Sequence, residues 1–493
     1  MTDSVNVVRG DPPVASLRTS AAKGVVWTSL GQIVRQVVAF GTQVALARLL
    51  APEAFGLVAM MTIASEFAML FADFGIGSAI VQKRDLDRRM LSTCFWLNMG
   101  VAAACAGALG GAGPLMATYF GQPELVVLTL IAGVNLLVNG ATVIPQAIML
   151  RNLQFRQLTF AQVVGSITGS VAAIGFALLG GGVWSLAVQP VVGSAVTLAL
   201  MARASDWWPD ASVDLPSVRS LVTFSGHLLG VNLIGFAGRN MHSFLIGKSL
   251  GSAPLGIFNM AQTVAYMPAY QISVVVQKVL FPTMSRLQDD RPALRNAYLR
   301  ATGAVALFTF PMMIGLFSTA DDLVPVVLGK DWLPMVDVLK IVVWGWMVQT
   351  IGTIAGTILV SIGDSKILLG TSILSAVLTA VALLIGIRWG LLGVAMSVSI
   401  ATILSYCVVL RIALSRAELA PGRLVAVLWR PCAAAIGMMG LVLLLRSALP
   451  HIEAAWRLAA CIAGGAATYV ALTFVVNRQQ VFDVLKFARA ARR

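Results

Sequence analysis

Gln32, Arg35, Gln36 and Gln43 interrupt an otherwise apolar stretch near the start of the chain. Their spacing of three, four and seven places them on one face of a helix. A guanidinium carries a permanent charge and five N–H donors, so in such a run it must face a water-filled cavity or a partner. The next apolar run carries Thr62, Glu66 and Asp73 on one face, and either acid could pair with Arg35. Two later runs repeat the pattern. One has Asn232, Arg239 and Ser243, and the other has Asn259, Gln262, Thr263, Tyr266, Tyr270, Ser273 and Gln277. A charge at mid-membrane costs roughly 2.5–3.5 kcal/mol on insertion scales, so the arginines point to a wet interior more strongly than the amides do. Neutral polar side chains also serve to hold helices together.

The elements that carry these residues are membrane spans. The chain has 493 residues, 58% hydrophobic and 11% charged, with a mean hydropathy of +0.86. A water-soluble surface needs far more charge than this. Apolar runs long enough to cross the hydrocarbon recur from residue 24 onward, which predicts an all-α polytopic membrane protein. Fourteen spans are predicted, near 24–47, 54–81, 91–112, 124–148, 158–180, 183–202, 223–247, 255–281, 301–319, 337–361, 367–387, 391–410, 426–446 and 456–476. Residues 1–23 are polar and lack an apolar signal-peptide core, so they read as an uncleaved cytoplasmic tail.

Charge sets the expected orientation. One set of loops and both tails hold 25 Lys and Arg residues, and the opposite loops hold six: Arg48, Lys248, Lys330, Arg388, Arg446 and Arg457. Both termini are therefore expected in the cytoplasm. The same asymmetry accounts for the net charge of +14 with no nucleic-acid partner. Lys278 and Lys340 lie near span ends, where lysines can snorkel.

The chain also repeats itself. In "ARLLAPEAFGLVAM" (47–60) and "GKSLGSAPLGIFNM" (247–260), Arg48 and Lys248, Leu50 and Leu250, Gly56 and Gly256, and Met60 and Met260 stand 200 positions apart. Gln32 aligns with Asn232, Gln43 with Ser243, Glu66 with Tyr266 and Asp73 with Ser273. Arg35 and Arg239 differ in this frame by one helical turn. A parallel duplication of six spans follows, with the repeats related by an axis along the membrane normal. The expected organisation is a tail (1–23), an N-lobe (24–203), a cytoplasmic linker (204–222), a C-lobe (223–411), two further spans (412–476) and a basic tail (477–493). Polar faces on the leading helices of both lobes imply a central cavity.

Other chemistries fail on spacing. "GKS" at 247–249 ends like a phosphate-binding loop, but His242 stands where that motif needs glycine. His227, His242 and His451 are scattered, so no metal site or cofactor is expected. The five cysteines are isolated, in keeping with core filler. The longest external loop is expected around 320–337, with a short amphipathic element and no room for a catalytic domain. The chain is not read as an enzyme.

"ARLLAPEAFGLVAM" and "FADFGIGSAIVQKRD" (71–85) resemble the amino-terminal signature of Wzx-type polysaccharide flippases of the MOP superfamily. "LIGKSLGSAPLGIFNMAQTVAYMP" (245–268) and "VLFPTMSRLQDD" (279–290) resemble the second-half signature of its colanic-acid and xanthan branch. The resemblance runs over about residues 20–420. One departure is "GRNMHSFLIG" (238–247), where the family often has an acidic residue.

The resemblance implies a MOP/MATE-like fold in the bacterial inner membrane. It also implies a cargo of oligosaccharide repeat units on undecaprenyl diphosphate, with membrane lipid around them and polymerase or export machinery as further partners. Arg35 and Arg239 would then hold the diphosphate through charge-assisted donors. Gln32, Gln36, Gln43, Asn232, Asn259, Gln262, Tyr266 and Tyr270 would line the sugar cavity. Asp73 or Glu66 would bind H+ or Na+ to couple transport. Two other readings compete. A MATE-type exporter of small cations is disfavoured by a cationic cavity, and a membrane polymerase or ligase needs a large external loop or catalytic cluster.

Overall fold

The computed structural model describes residues 14–72, 77, 80–81, 87–211, 226–287, 290–362 and 365–476. Among them are fourteen long helices and no strand. In order they are α1 (Val14–Leu49), α2 (Pro52–Ala72), α3 (Arg88–Phe120), α4 (Leu125–Arg151), α5 (Phe155–Leu178), α6 (Trp184–Ser205) and α7 (Gly226–Leu250). The rest are α8 (Ser252–Arg286), α9 (Arg291–Val327), α10 (Met335–Ser361), α11 (Ser365–Gly386), α12 (Gly390–Arg416), α13 (Pro421–Ala448) and α14 (Ala454–Val476). Each predicted span overlaps one helix, the second (54–81) only as far as Ala72 on α2, with 73–76 and 78–79 outside the described residues. Many helices are longer than the predicted spans, α1 starting ten residues before its apolar run and α9 extending well past both ends of its own.

Among the described residues, ten stretches are long and apolar enough to cross a membrane, α11 and α12 counting as one. The helices outside that set are α1, α7 and α8, which carry the polar stripes.

Local chemistry sets the helix ends. Asp290 caps α9 by accepting from the Ala293 N–H at 3.0 Å, and Pro421 opens α13 with its φ already helical. Gly121 ends α3 in the left-handed region, its N–H on the Ala117 carbonyl. The expected external loop at 320–337 is shorter than predicted. α9 runs on to Val327, and a 3-10 turn at Lys330–Trp332 leads directly into α10.

The chain divides into two compact units, Met1–Gly256 and Ile257–Arg493. In the first, α5 and α6 cross closely at Gly165, Gly169 and Gly193, where a Cβ would strike the facing backbone or Thr197. The start of the linker is tied back to α3. Asp210 pairs with Arg88 at 3.0 Å, its N–H donates to the Ser92 hydroxyl, and buried Trp207 packs with Met90, Leu91 and Cys94.

Gly56 of α2 and Gly256 of α8 also meet within this unit. A Cβ on Gly56 would overlap the Ser252 carbonyl, and one on Gly256 would overlap the Pro52 carbonyl. The two contacts are reciprocal in the 200-position frame, since Gly56 meets Ser252 as Gly256 meets Pro52.

In the second unit, α9, α10, α13 and α14 share a core that includes Tyr298, Val305, Ile354, Ile358, Met438 and Tyr469. The Tyr469 hydroxyl donates to the Leu307 carbonyl at 2.7 Å, tying α14 to α9. At the end of α12, Arg291 donates to the Arg416 carbonyl and Arg295 to the Ala417 carbonyl, so two cations of α9 meet the negative pole of that helix. At the opposite end of α9, Asp321 and Asp322 gather three cations. Lys340 reaches Asp321 at 2.7 Å, Arg446 bridges to both carboxylates, and Arg457 pairs with Asp322. Lys340, expected to snorkel, is thus ion-paired.

Candidate functional site

Arg35 is half-buried on the polar face of α1. Its Nη2 donates to Oε1 of Gln32 one turn away, and its Nη1 donates to Oε1 of Gln162 on α5, both at 2.6 Å. Of the two acids that the sequence suggested as partners, Glu66 bonds elsewhere and Asp73 lies outside the described residues; the partners described for Arg35 are two neutral amides. Arg35 keeps its charge uncompensated by these partners, and three of its five donors lie outside the two bonds. Gln36 and Gln43 are half-buried on the same helix.

Glu66 bonds to α7 instead. The Asn240 side-chain amide donates to its Oε2 at 2.8 Å, and Phe67 packs on Phe236 with ring centroids 5.5 Å apart. Arg239, next to Asn240, is exposed. The end of α7 is held by an aromatic clamp from α3. Tyr119 stacks on Phe244 at 4.9 Å, and Lys248 lies over the Tyr119 ring and donates to its carbonyl. Both arginines and Glu66 belong to the first unit.

The polar stripe of α8 continues in the second unit. Gln262 accepts from the indole N–H of Trp346 on α10 at 2.6 Å. Tyr266 packs against the same indole, centroids 5.0 Å apart and planes 57° apart. Asn259 is half-buried on this helix. Asp73 and the side chains of Asn232 and Tyr270 lie outside the described residues.

Sequence reasoning missed Gln162, Asn240 and Trp346. Gln162 is one amide in an apolar run, and Trp346 reads as core. Asn240 sits beside Arg239 and could have been taken from that signal. Among the described residues no cluster of His, Cys, Asp and Glu is arranged to hold a metal.

Polar amides around an arginine that meets no carboxylate among the described residues suit an anionic, hydroxyl-rich ligand. The comparison with known proteins then decides the family, because polysaccharide biosynthesis proteins match residues 45–337, more than half of the chain. The chain belongs to that family. Among its relatives in the polysaccharide biosynthesis family is the succinoglycan biosynthesis transport protein ExoT of Rhizobium meliloti. The two are 27% identical over 97% of each chain. The lipopolysaccharide biosynthesis protein WzxC of Escherichia coli is 25% identical over 80% of this chain and 82% of its own. Of solved structures, the lipid II flippase MurJ in an inward closed conformation superposes with a TM-score of 0.71 at 14% identity, covering 93% of this chain and all of that one. The shared fold is that of a multi-pass membrane protein, in agreement with the fourteen helices among the described residues.

Proposed function

We propose that this polysaccharide biosynthesis protein is a flippase that moves oligosaccharide repeat units, linked to undecaprenyl diphosphate, from the cytoplasmic to the periplasmic leaflet of the inner membrane. The observation that carries the reading is Arg35, a cation in an apolar run held by Gln32 and Gln162, with no carboxylate bonded to it among the described residues. A diphosphate headgroup stripped of water needs charge-assisted donors along its path. Arg35 and Arg239 supply them, and the Gln side chains of α1 meet the first sugar hydroxyls. The names of ExoT and WzxC support the assignment to polymer assembly.

The cycle is alternating access by rocking of the two repeats, with the lipid tail remaining in the bilayer. The reciprocal contact at Gly56 and Gly256 closes the external side. Glu66, hydrogen-bonded to Asn240, and Asp73 are the candidates for H+ or Na+ coupling. Protonation or ion binding at Glu66 competes with Asn240 for the carboxylate and so acts on the α2–α7 contact.

The test is a deletion strain. Lipid-linked repeat units should accumulate in the inner leaflet, polymer should disappear from the surface, and the gene in trans should reverse both. Normal polymer without accumulation would overturn the assignment.

A further inference from the structure

The second unit carries a site of different character. From Ser252 to Tyr270 on α8, and from Ile341 to Ser361 on α10, there is no Asp, Glu, Lys or Arg. Amides, hydroxyls and aromatic rings nonetheless recur at helical spacing: Asn259, Gln262 and Tyr266 on α8, and Trp346, Gln349 and Thr353 on α10. The Trp346 N–H and the Thr353 hydroxyl are met within the pair of helices, while the amide side chains carry further donors and acceptors that suit a wet surface better than hydrocarbon.

We propose that Trp346 and Tyr266 form a stacking platform for a sugar ring of the cargo, held in place by Gln262. The inference rests on the flippase reading. The two rings, 5.0 Å apart and inclined by 57°, make an angled aromatic wall, and Tyr266 is 37% exposed. The Trp346 N–H is the only polar group on its ring, and Gln262 takes it at 2.6 Å. What the indole then offers a ligand is its π-face. A pyranose matches this chemistry, because one face presents C–H groups that stack on an aromatic ring while its rim of hydroxyls needs amides. The absence of charge selects the glycan over the diphosphate, whose cationic contacts lie on the first unit. Gln262 is a positioning residue, acting through the indole.

The experiment uses the full chain in lipid nanodiscs and two probes. One is undecaprenyl diphosphate, and the other is the lipid-linked repeat unit extracted from a polymerase-deficient strain. Trp346→Ala should weaken binding of the glycosylated lipid about tenfold and leave undecaprenyl diphosphate unchanged. Trp346→Phe, which keeps a ring, should stay within about threefold of wild type for both. Gln262→Leu should lower only glycan-dependent affinity, and Gln262→Glu, which keeps the acceptor, should restore it. If Trp346→Ala binds the glycosylated lipid as wild type does, or loses both lipids equally, the platform is overturned. If the wild-type protein binds neither lipid, the flippase reading itself fails.

Discussion

Arg35 illustrates why the identity of a membrane-embedded cation matters as much as its charge. Its two terminal nitrogens reach Gln32 and Gln162 on different helices at once, a spacing that the planar fork presets and the three donors on one ammonium nitrogen do not reproduce. Hydrogen bonds to a charged group contribute about 1.5–3 kcal/mol each, so the pair fixes the guanidinium while leaving donors for an anion. Arg35→Ala should reduce polymer export about tenfold or more, and Arg35→Lys should recover only part of the loss. Surface polymer measured in a complemented deletion strain, at matched protein levels, checks this. Arg35 itself was legible in the sequence because a charge in an apolar run announces itself. Its partner was not: Gln162 lies 127 residues away, and nothing in its neighbourhood distinguishes it from a helix-packing amide.

Helices α9, α10, α13 and α14 are joined by charge as well as by their apolar core. Asp322 has a side chain only 5% exposed, and it receives Arg446 and Arg457. Removing one member of a buried pair costs about 3–5 kcal/mol because the survivor is stranded. Asp322→Ala should therefore lower the melting temperature of the purified protein by several degrees. Asp321→Ala, on a more exposed carboxylate, should lower it less. Thermal unfolding in detergent, with both variants and wild type side by side, gives the comparison. Hydropathy located all fourteen of these elements, since a bilayer imposes one length on every apolar run. It did not reveal where α9 ends, because Asp321, Asp322 and Pro325 read as loop while the helix runs on to Val327 with both carboxylates ion-paired.

Across the whole chain, the 200-residue offset proved the most informative sequence feature. It aligned Gly56 with Gly256, and those two positions meet in space by reciprocal contact. Topology follows from the same frame and can be tested directly. In a cysteine-free background, a membrane-impermeant maleimide applied to spheroplasts should label Gln122→Cys and Gly181→Cys. It should leave Asp87→Cys and Asn152→Cys unlabelled until the membrane is broken; the reverse pattern would invert the orientation. In the expected orientation Arg446 and Arg457 stand on the side where cations are scarce, which would make the α13–α14 hairpin a poor inserter on its own merits. Their counter-charges sit on α9, which the ribosome delivers well over a hundred residues earlier. The hairpin therefore emerges into a membrane that already holds Asp321 and Asp322. The order of synthesis is written into the ion pairs, and the last two helices enter as guests of the ninth.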